Sequence, residues 1–370
     1  MDVLVATEST SDDRKTLAAV RSLARSGARV IMGGDMKRPV FFSRHCSGRL
    51  VYPHPEHGLD HFLDALEGHL KTGRYDVLLP MSDHITIPVV AARERLLRHV
   101  RTAVPGPISL ERSRDKLKTL AIARRLGIGI PQTGLVRGSE ELADAADKTG
   151  MPCVLKPRRG AAGIGVQFID SRYGLAAAWE SGMVQENLVY DARSRLLQEY
   201  LHGEVHDVCV LFRDGEPRAA LTQKRIYMLP PRGGIAVVAE TTDEPELRDL
   251  AIRLLTAMRW HGPAQVEFRI DERNGQPKLM EVNGRFWATL ELSILAGVDF
   301  PVLACRMALD GDVEPVFRYR VGQRFRWPVP FAFRRGLSAR LRWSLLRPAL
   351  RTSSNLSITD PLPHLMESLG

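Results

Sequence analysis

The chain has 370 residues, 44% hydrophobic and 26% charged, a length beyond the roughly 250–300 residues at which single cores stop growing, so two or more domains are expected. No apolar run reaches the roughly 20 residues of a membrane span, and four scattered cysteines without a CxxC pair fit a reducing, cytoplasmic setting rather than a disulfide framework or a zinc site. The net charge of +9 is local: residues 317–351 hold ten arginines and no Lys, Asp or Glu, so the remainder is nearly neutral and composition gives no reason to expect a nucleic-acid partner.

The opening MDVLVATEST has an acid at Asp2 and no basic segment; it reads as a first strand, not a signal peptide. DDRKTLAAVRSLARSG then places Leu17, Val20, Leu23 and Ala24 at helical spacing, with Gly27 closing the helix. Strand ARVIMGG, helix LDHFLDALEGHLKTG, strand YDVLLP and helix TIPVVAARERLLRHV follow, an alternation that predicts a parallel sheet covered by helices. Ligands of such sheets sit beyond the carboxyl ends of the strands, which makes Ser82 and Asp83 candidate substrate residues, with helix capping as the other reading of Asp83. His54, His57 and His61 cluster in HPEHGLDHF, but Pro55 and Gly58 interrupt any helix that could aim them at one zinc ion.

VPGPISLERSRD reads as a linker, followed by helix SRDKLKTLAIARRLG. Strand-like segments then dominate: PCVLKP, GVQFID, RLLQEYL, VHDVCVLFRDG, PRAALTQKRI and IAVVAETT. Helix EPELRDLAIRLLTAMRW precedes a strand pair, GPAQVEFRID and QPKLMEVN, joined by the turn ERNGQ. Helix DFPVLACRMALDG closes the regular part. In the basic tail, Leu337, Leu341, Leu345 and Trp343 interleave with arginines. That pattern suits either a helix packed on the body or a basic amphipathic helix on an anionic membrane or a polyanionic substrate.

Four stretches carry chemistry. In KLMEVNGRFW, the acid Glu281, the amide Asn283 and the base Arg285 recur at every second position, so an extended strand would line them on one face. Carboxylate and amide oxygens suit Mg2+, and a guanidinium suits phosphate; an edge strand with a solvated face is the alternative. VLKPRRGAAGIGVQF ends a strand at Lys156 and follows it with Gly160, Gly163 and Gly165, whose missing side chains let backbone amides approach phosphate. The pattern is neither a Walker A loop nor a dinucleotide fingerprint. Lys116 in SRDKLKTLA stands in the first turn of a helix, where a cation is unfavourable unless an anion compensates. LLQEYLHGEVHDV runs from a strand into a polar turn, where Glu204 or Asp207 could accept from ribose hydroxyls.

Together these stretches resemble the ATP-grasp superfamily, and more narrowly its carboxylate–amine ligases with a carbamoyl-phosphate-synthase-like core. The resemblance runs over roughly residues 1–310 and rests on Asp115-Lys116, VLKPRRGAAGIGV, QEYLHGE, VEF and MEVNGRFWATLELSILAGVDFP. It implies a mixed α/β and α+β architecture: a Rossmann-like domain at 1–108, a small lid subdomain at 109–190, a large subdomain at 191–312 and an Arg-rich extension at 313–370. It further implies that Lys116 and Lys156 hold the ATP phosphates under the Gly160–Gly165 loop, and that Gln198, Glu199 and Leu201 frame the adenine with Glu204 on the ribose. Glu267, Glu281 and Asn283 would bind two Mg2+ ions, with Mn2+ as a substitute, and Arg285 would face the transferred phosphoryl group. Lys224, Arg225 and Arg232 would recognise an anionic substrate or the acyl phosphate. The implied reaction joins a small carboxylate to an amine through an acyl phosphate; carboxylation through carboxyphosphate, a thiol acceptor and an ATP-binding sensor without turnover are the alternatives, and whether the protein is a homo-oligomer is left open. Where many members carry Pro, this chain has Gly284.

Overall fold

The structure is a computed structural model describing residues 1–10, 13–36, 38–161, 163–191, 194–327, 353–355 and 357–369. Strands β1 (Asp2–Ala6), β2 (Arg29–Gly34), β3 (Gly48–Val51) and β4 (Val77–Pro80) form a wholly parallel sheet in the order β3-β2-β1-β4. Val3 to Ala6 are buried on both faces, as a central parallel strand requires. On one face Val3 and Val5 meet α1 (Asp13–Arg25); on the other Leu4 and Ala6 meet α2 (Leu59–Thr72) and α3 (Asp83–Ala91). Strand β3 was not foreseen, because GRLV is short and has no alternation to mark it. The helix expected over 86–100 begins earlier, at Asp83, and breaks into α3 and α4 (Arg93–Leu96).

The stretch read as a linker is largely helical. Pro107 opens α5 (Pro107–Arg114), a position where its missing N–H is no loss. Ser109 Oγ donates to the Met258 carbonyl at 2.8 Å, so α5 is fastened to the far half of the chain. Asp115 then caps α6 (Lys116–Arg125), accepting from Leu117 N at 3.1 Å and Lys118 N at 3.4 Å.

A second, antiparallel sheet contains β5 (Thr133–Val136), β6 (Cys153–Pro157), β7 (Gln167–Ile169) and β8 (Arg195–Glu199) in the order β5-β8-β6-β7. Two short helices, α7 (Leu142–Thr149) and α8 (Leu175–Ser181), bury Leu142, Ala145 and Leu175 against it. The third sheet comprises β9 (Val205–Arg213), β10 (Glu216–Leu229), β11 (Ile235–Thr242), β12 (Gly262–Ile270), β13 (Pro277–Asn283), β14 (Arg324–Arg326) and β15 (Ser353–Ser354), in the order β13-β12-β9-β10-β11-β14-β15. Helix α9 (Pro245–Ala257) packs on one face of it. Helices α10 (Leu290–Ala296) and α11 (Phe300–Asp310) share a core with α1 and the parallel sheet, joining Cys209 and Leu211 of β9 to Val3 and Val5 of β1.

The Arg-rich amphipathic helix expected around 337–347 lies outside the described residues. Beyond it, Asp360 is buried against α1, where Arg21 Nε donates to its carboxylate at 2.9 Å. Among the described residues no single helix is long and apolar enough to cross a membrane.

Candidate active site

Pairing across the large sheet gathers the polar groups. Glu267 on β12 stands opposite Glu281 on β13 and, on its other side, opposite Asp207 on β9; Gln223 on β10 faces Asp207 in turn. Directly opposed residues share a face, so Gln223, Asp207, Glu267 and Glu281 form a polar row across four strands. A bulge between Glu267 and Phe268 leaves Met280 without a partner, and both Met280 and Glu281 then line the cavity although they are consecutive. The row expected along KLMEVNGRFW needs correcting at its end. Strand β13 stops at Asn283, and Arg285 lies in the turn beyond, after Gly284, where an added Cβ would come within 2.8 Å of Trp260. Arg285 still reaches the site: Nε donates to Asp83 Oδ2 at 2.8 Å and Nη2 to Asn283 Oδ1 at 3.2 Å.

Cations face this row from the small sheet. Lys156 on β6 and Lys116 at the start of α6 are both about nine-tenths buried. Lys116 Nζ donates to the Gly160 carbonyl at 3.0 Å and lies 3.8 Å from Glu281 Oε2. Burial, reinforced by the Lys116 charge, depresses Lys156 to about 8, with Glu281 and Glu267 pulling the other way. Burial would raise both glutamates. Lys116 and Lys156 outweigh it at Glu281 and keep that carboxylate ionised, whereas Glu267 is pushed up, with Glu281 adding to the effect. Arg225 is clamped behind the row: Nε and Nη2 donate to Asp207 at 3.0 and 2.6 Å, and Nη2 also donates to Glu267.

One cavity of about 380 Å³ runs between the three sheets. Lys116, Lys156, Gly160, Gly163, Gln198, Glu199 and Leu201 line it, as do Arg225, Arg232, Glu267, Glu281, Asn283, Arg285, Ser82 and Asp83. Val154 and Gln198 are cross-strand partners that both line the cavity, and Lys156 shares their face two residues along β6. Glu199 is engaged at the rim, accepting from Gln132 N at 2.9 Å and from Arg273 Nη2 at 3.1 Å. Arg232, at the tip of the β10–β11 hairpin, crosses to the small sheet and forms a two-point ion pair with Asp170, its guanidinium stacked 5.4 Å from the Phe168 ring and 5.0 Å from Tyr200.

Three expected residues stand outside the lining. Glu204 and Lys224 pair with each other at 3.6 Å beside the cavity, and the Glu204 side chain is 64% exposed. Gly165 acts on the loop itself: at φ +74° it takes a left-handed turn, and a Cβ there would come within 2.5 Å of Val184. Asp83 does not cap α3. It is the first residue of that helix, engaged by Arg285, and Ser82 at the capping position makes no side-chain cap bond. His54 and His57 have ring centroids 5.2 Å apart, but His54 Nδ1 accepts from Glu56 N and its Nε2 faces Glu8 at 3.5 Å.

Several lining residues escaped the sequence. Glu8, Glu56 and His84 gather at the carboxyl end of the parallel sheet, and Arg269 lies beneath Tyr200, donating to the Leu201 carbonyl at 2.7 Å. The acid directly after the first strand was a usable signal for Glu8, by the rule that places ligands at strand ends. Asp207, which the sequence offered as an alternative to Glu204, lies outside the lining, and its place beside Glu267 and Arg225 follows from the β9–β12 register.

The donor set fits a hard divalent cation. Two carboxylates lie side by side in a buried place that raises one of them, which a cation relieves, and the Asn283 amide stands 3.1 Å from Glu281. Among the described residues no group of three or more His, Cys, Asp and Glu side chains could hold a metal, so Glu267 and Glu281 would need further oxygen donors such as the Asn283 amide.

Residues 191–328 match the family described as "ATP-grasp in the biosynthetic pathway with Ter operon". The chain is 25% identical over 221 residues to a D-alanine--D-alanine ligase of Dechloromonas aromatica (strain RCB), covering 56% of this chain and 71% of that one. It is 29% identical over 222 residues to a probable alpha-L-glutamate ligase 2 of Shewanella frigidimarina (strain NCIMB 400), covering 57% and 70%. In fold it is similar to a biotin carboxylase from Campylobacter jejuni, with a TM-score of 0.69 at 16% identity over 87% of this chain and 74% of that one. An L-amino acid ligase from Bacillus licheniformis superposes with a TM-score of 0.64 at 17% identity, over 85% and 75%.

Proposed function

Because this chain belongs to the ATP-grasp superfamily of carboxylate–amine ligases, we propose that it activates a small carboxylate with ATP and joins it to an amine, releasing ADP and phosphate. The observation that carries this reading is the opposition, across one cavity, of the Glu267–Glu281 carboxylate pair and the buried Lys116–Lys156 cation pair. The similarity to D-alanine and glutamate ligases favours amino acids as substrates. A cytoplasmic location belongs to the same reading.

A carboxylate acylates poorly because its leaving group would be oxide. Here a carboxylate oxygen attacks the γ-phosphorus of ATP, the bond from that phosphorus to the bridging oxygen breaks, and ADP departs. Lys116 and Lys156 hold the phosphates, Gln198, Glu199 and Leu201 border the adenine, and Arg285 faces the migrating group. Mg2+ held by Glu267, Glu281 and Asn283 would neutralise charge on the phosphate oxygens. The glycine loop covers the site and keeps water from the acyl phosphate. The amine then attacks the carbonyl carbon, and its bond to the phosphate oxygen breaks.

The test is incubation with ATP, Mg2+ and hydroxylamine across a panel of carboxylic and amino acids. Acid-dependent hydroxamate together with ADP is the expected result. ATP bound tightly but never cleaved with any acid would instead make the protein a nucleotide sensor.

A further inference from the structure

The guanidinium of Arg225, expected from the sequence to grip an anionic substrate, is already bound to two protein carboxylates. It stands on β10 two residues from Gln223. Its Nε donates to Asp207 Oδ2 at 3.0 Å, and Nη2 donates to Asp207 Oδ1 at 2.6 Å and to Glu267 Oε2. Nη1 reaches the Gly234 carbonyl at 3.5 Å. Asp207 is completely buried and is itself fixed, accepting from Gln223 Nε2 at 3.1 Å, while the same amide donates to Thr289 Oγ1. A two-point pair on a buried, hydrogen-bonded carboxylate holds a planar guanidinium in one orientation. Here that orientation aims Nη2 at Glu267, one of the two side-by-side carboxylates that suit a divalent cation.

Cations of the protein itself match this row of acids. Lys116 and Lys156 act on Glu281, and Arg225 and Arg269 act on Glu267. Lys15 and Arg285 act on Asp83, at the parallel-sheet end of the cavity. Lys116 and Lys156 can turn to the phosphates of ATP, whereas Arg225, 13% exposed, is tied to Asp207. A divalent cation that takes Glu267 as a ligand therefore meets a guanidinium bonded to the same carboxylate. Coordination through Oε2 breaks the Arg225 bond, and coordination through Oε1 sets like charges against each other across one carboxyl group.

We propose that Arg225 competes with the divalent cation for the Glu267 carboxylate and so lowers the affinity of the site for a cation that arrives without nucleotide. Arg225 is a positioning residue that acts on the metal through Glu267, and Asp207 holds it there. The inference rests on the metal set of the ligase reading and adds to it a residue that tunes metal affinity. A cation carried by ATP brings phosphate oxygens as further ligands and overcomes the competition; a bare cation does not.

The test titrates Mn2+ into nucleotide-free wild type, Arg225→Met and Arg225→Lys, with bound and free ion separated by electron paramagnetic resonance. Removing a charge-assisted bond that competes for Glu267 predicts that the Mn2+ Kd falls about 10- to 100-fold in Arg225→Met. Arg225→Lys, whose single ammonium keeps Asp207 paired but does not span both carboxylates, shows a smaller fall. Arg225→Met decides if it keeps the wild-type thermal melt; if the unpaired buried Asp207 unfolds it, Arg225→Lys decides. Made in a Glu267→Gln background, the deciding substitution leaves Kd unchanged, an outcome that a merely structural role of Arg225 would not produce. A Kd no lower than that of wild type, or an equal fall in the Glu267→Gln background, overturns the competition and leaves the ligase reading intact. No Mn2+ bound by wild type or variants, even beside a non-hydrolysable ATP analogue, removes the metal set and this inference with it.

Discussion

Glu281 has neighbours of both signs: Glu267 across the strand pair, Lys116 at 3.8 Å and Lys156 beyond. Removing its charge takes one carboxylate from the metal set and leaves two buried ammonium groups without their counter-charge. Glu281→Ala is expected to lower kcat by about 10²- to 10³-fold or more, read as acid-dependent ADP release. Lys156 supplies a pH signature. Its ammonium is depressed to about 8, so the phosphate-binding cation is present below that pH and lost above it. The predicted outcome is a fall in kcat/KM for ATP as pH rises through about 8. Lys156→Arg, whose guanidinium stays charged, should flatten that limb of the profile. At this scale the sequence was informative wherever chemistry is local: Glu281 and Asn283 two apart on a strand, or Lys156 beside its glycines. It offered Asp207 only as an alternative to Glu204 for a ribose, whereas strand register sets Asp207 against Arg225 and Glu267, and it placed Lys224 in the site although that residue pairs with Glu204.

Long periodic elements were legible and short ones were not. Strands β9 to β13 and helix α9 follow the expected segments closely, because each carries enough alternation or helical spacing to declare itself. β3, α7 and α8 are short and owe their existence to the sheets they extend or cover, while α5 was mistaken for a linker because two prolines and a glycine precede Ile108. The adjoining α10 carries a testable liability. Burial raises Glu291 to about 7 from an ordinary 4.5, with Arg21 and Arg25 opposing. The folded state therefore binds a proton that the unfolded state releases, and stability falls as pH rises from about 4.5 through 7. Glu291→Gln removes that slope, so thermal melts should show the variant gaining stability relative to wild type between pH 5 and 8, by roughly 1–3 kcal/mol. On the lid side, Gly165→Ala forces a Cβ onto Val184 at positive φ; a KM for ATP raised several-fold is the expected consequence.

Over the whole molecule, the parallel sheet and the large sheet share the core built by α1, α10 and α11, whereas the small sheet has a core of its own. The sequence suggests a division at residue 109, and α5, just beyond it, packs on the large-sheet half through Ser109 and Met258. The small sheet meets the rest at the cavity, where Arg232 grips Asp170 across the mouth. Asp170→Asn weakens that contact, and faster nucleotide release in stopped-flow exchange should follow; an unchanged rate would remove the ion pair from any role in closure. The change from strand–helix alternation to strand-rich segments near 151 is visible in sequence order, but not how the sheets lock together, because those contacts join residues more than 60 apart.

The central claim is that the terminal phosphoryl group of ATP passes directly to a substrate carboxylate. The most direct measurement supplies a pool of amino acids labelled with 18O in both carboxyl oxygens, together with Mg-ATP and hydroxylamine, and weighs the inorganic phosphate released. One 18O atom per phosphate is predicted, because the carboxylate oxygen that attacks phosphorus leaves with it. Phosphate free of label, formed at the same rate as ADP, would show that water and not the carboxylate took the phosphoryl group, and would contradict the account.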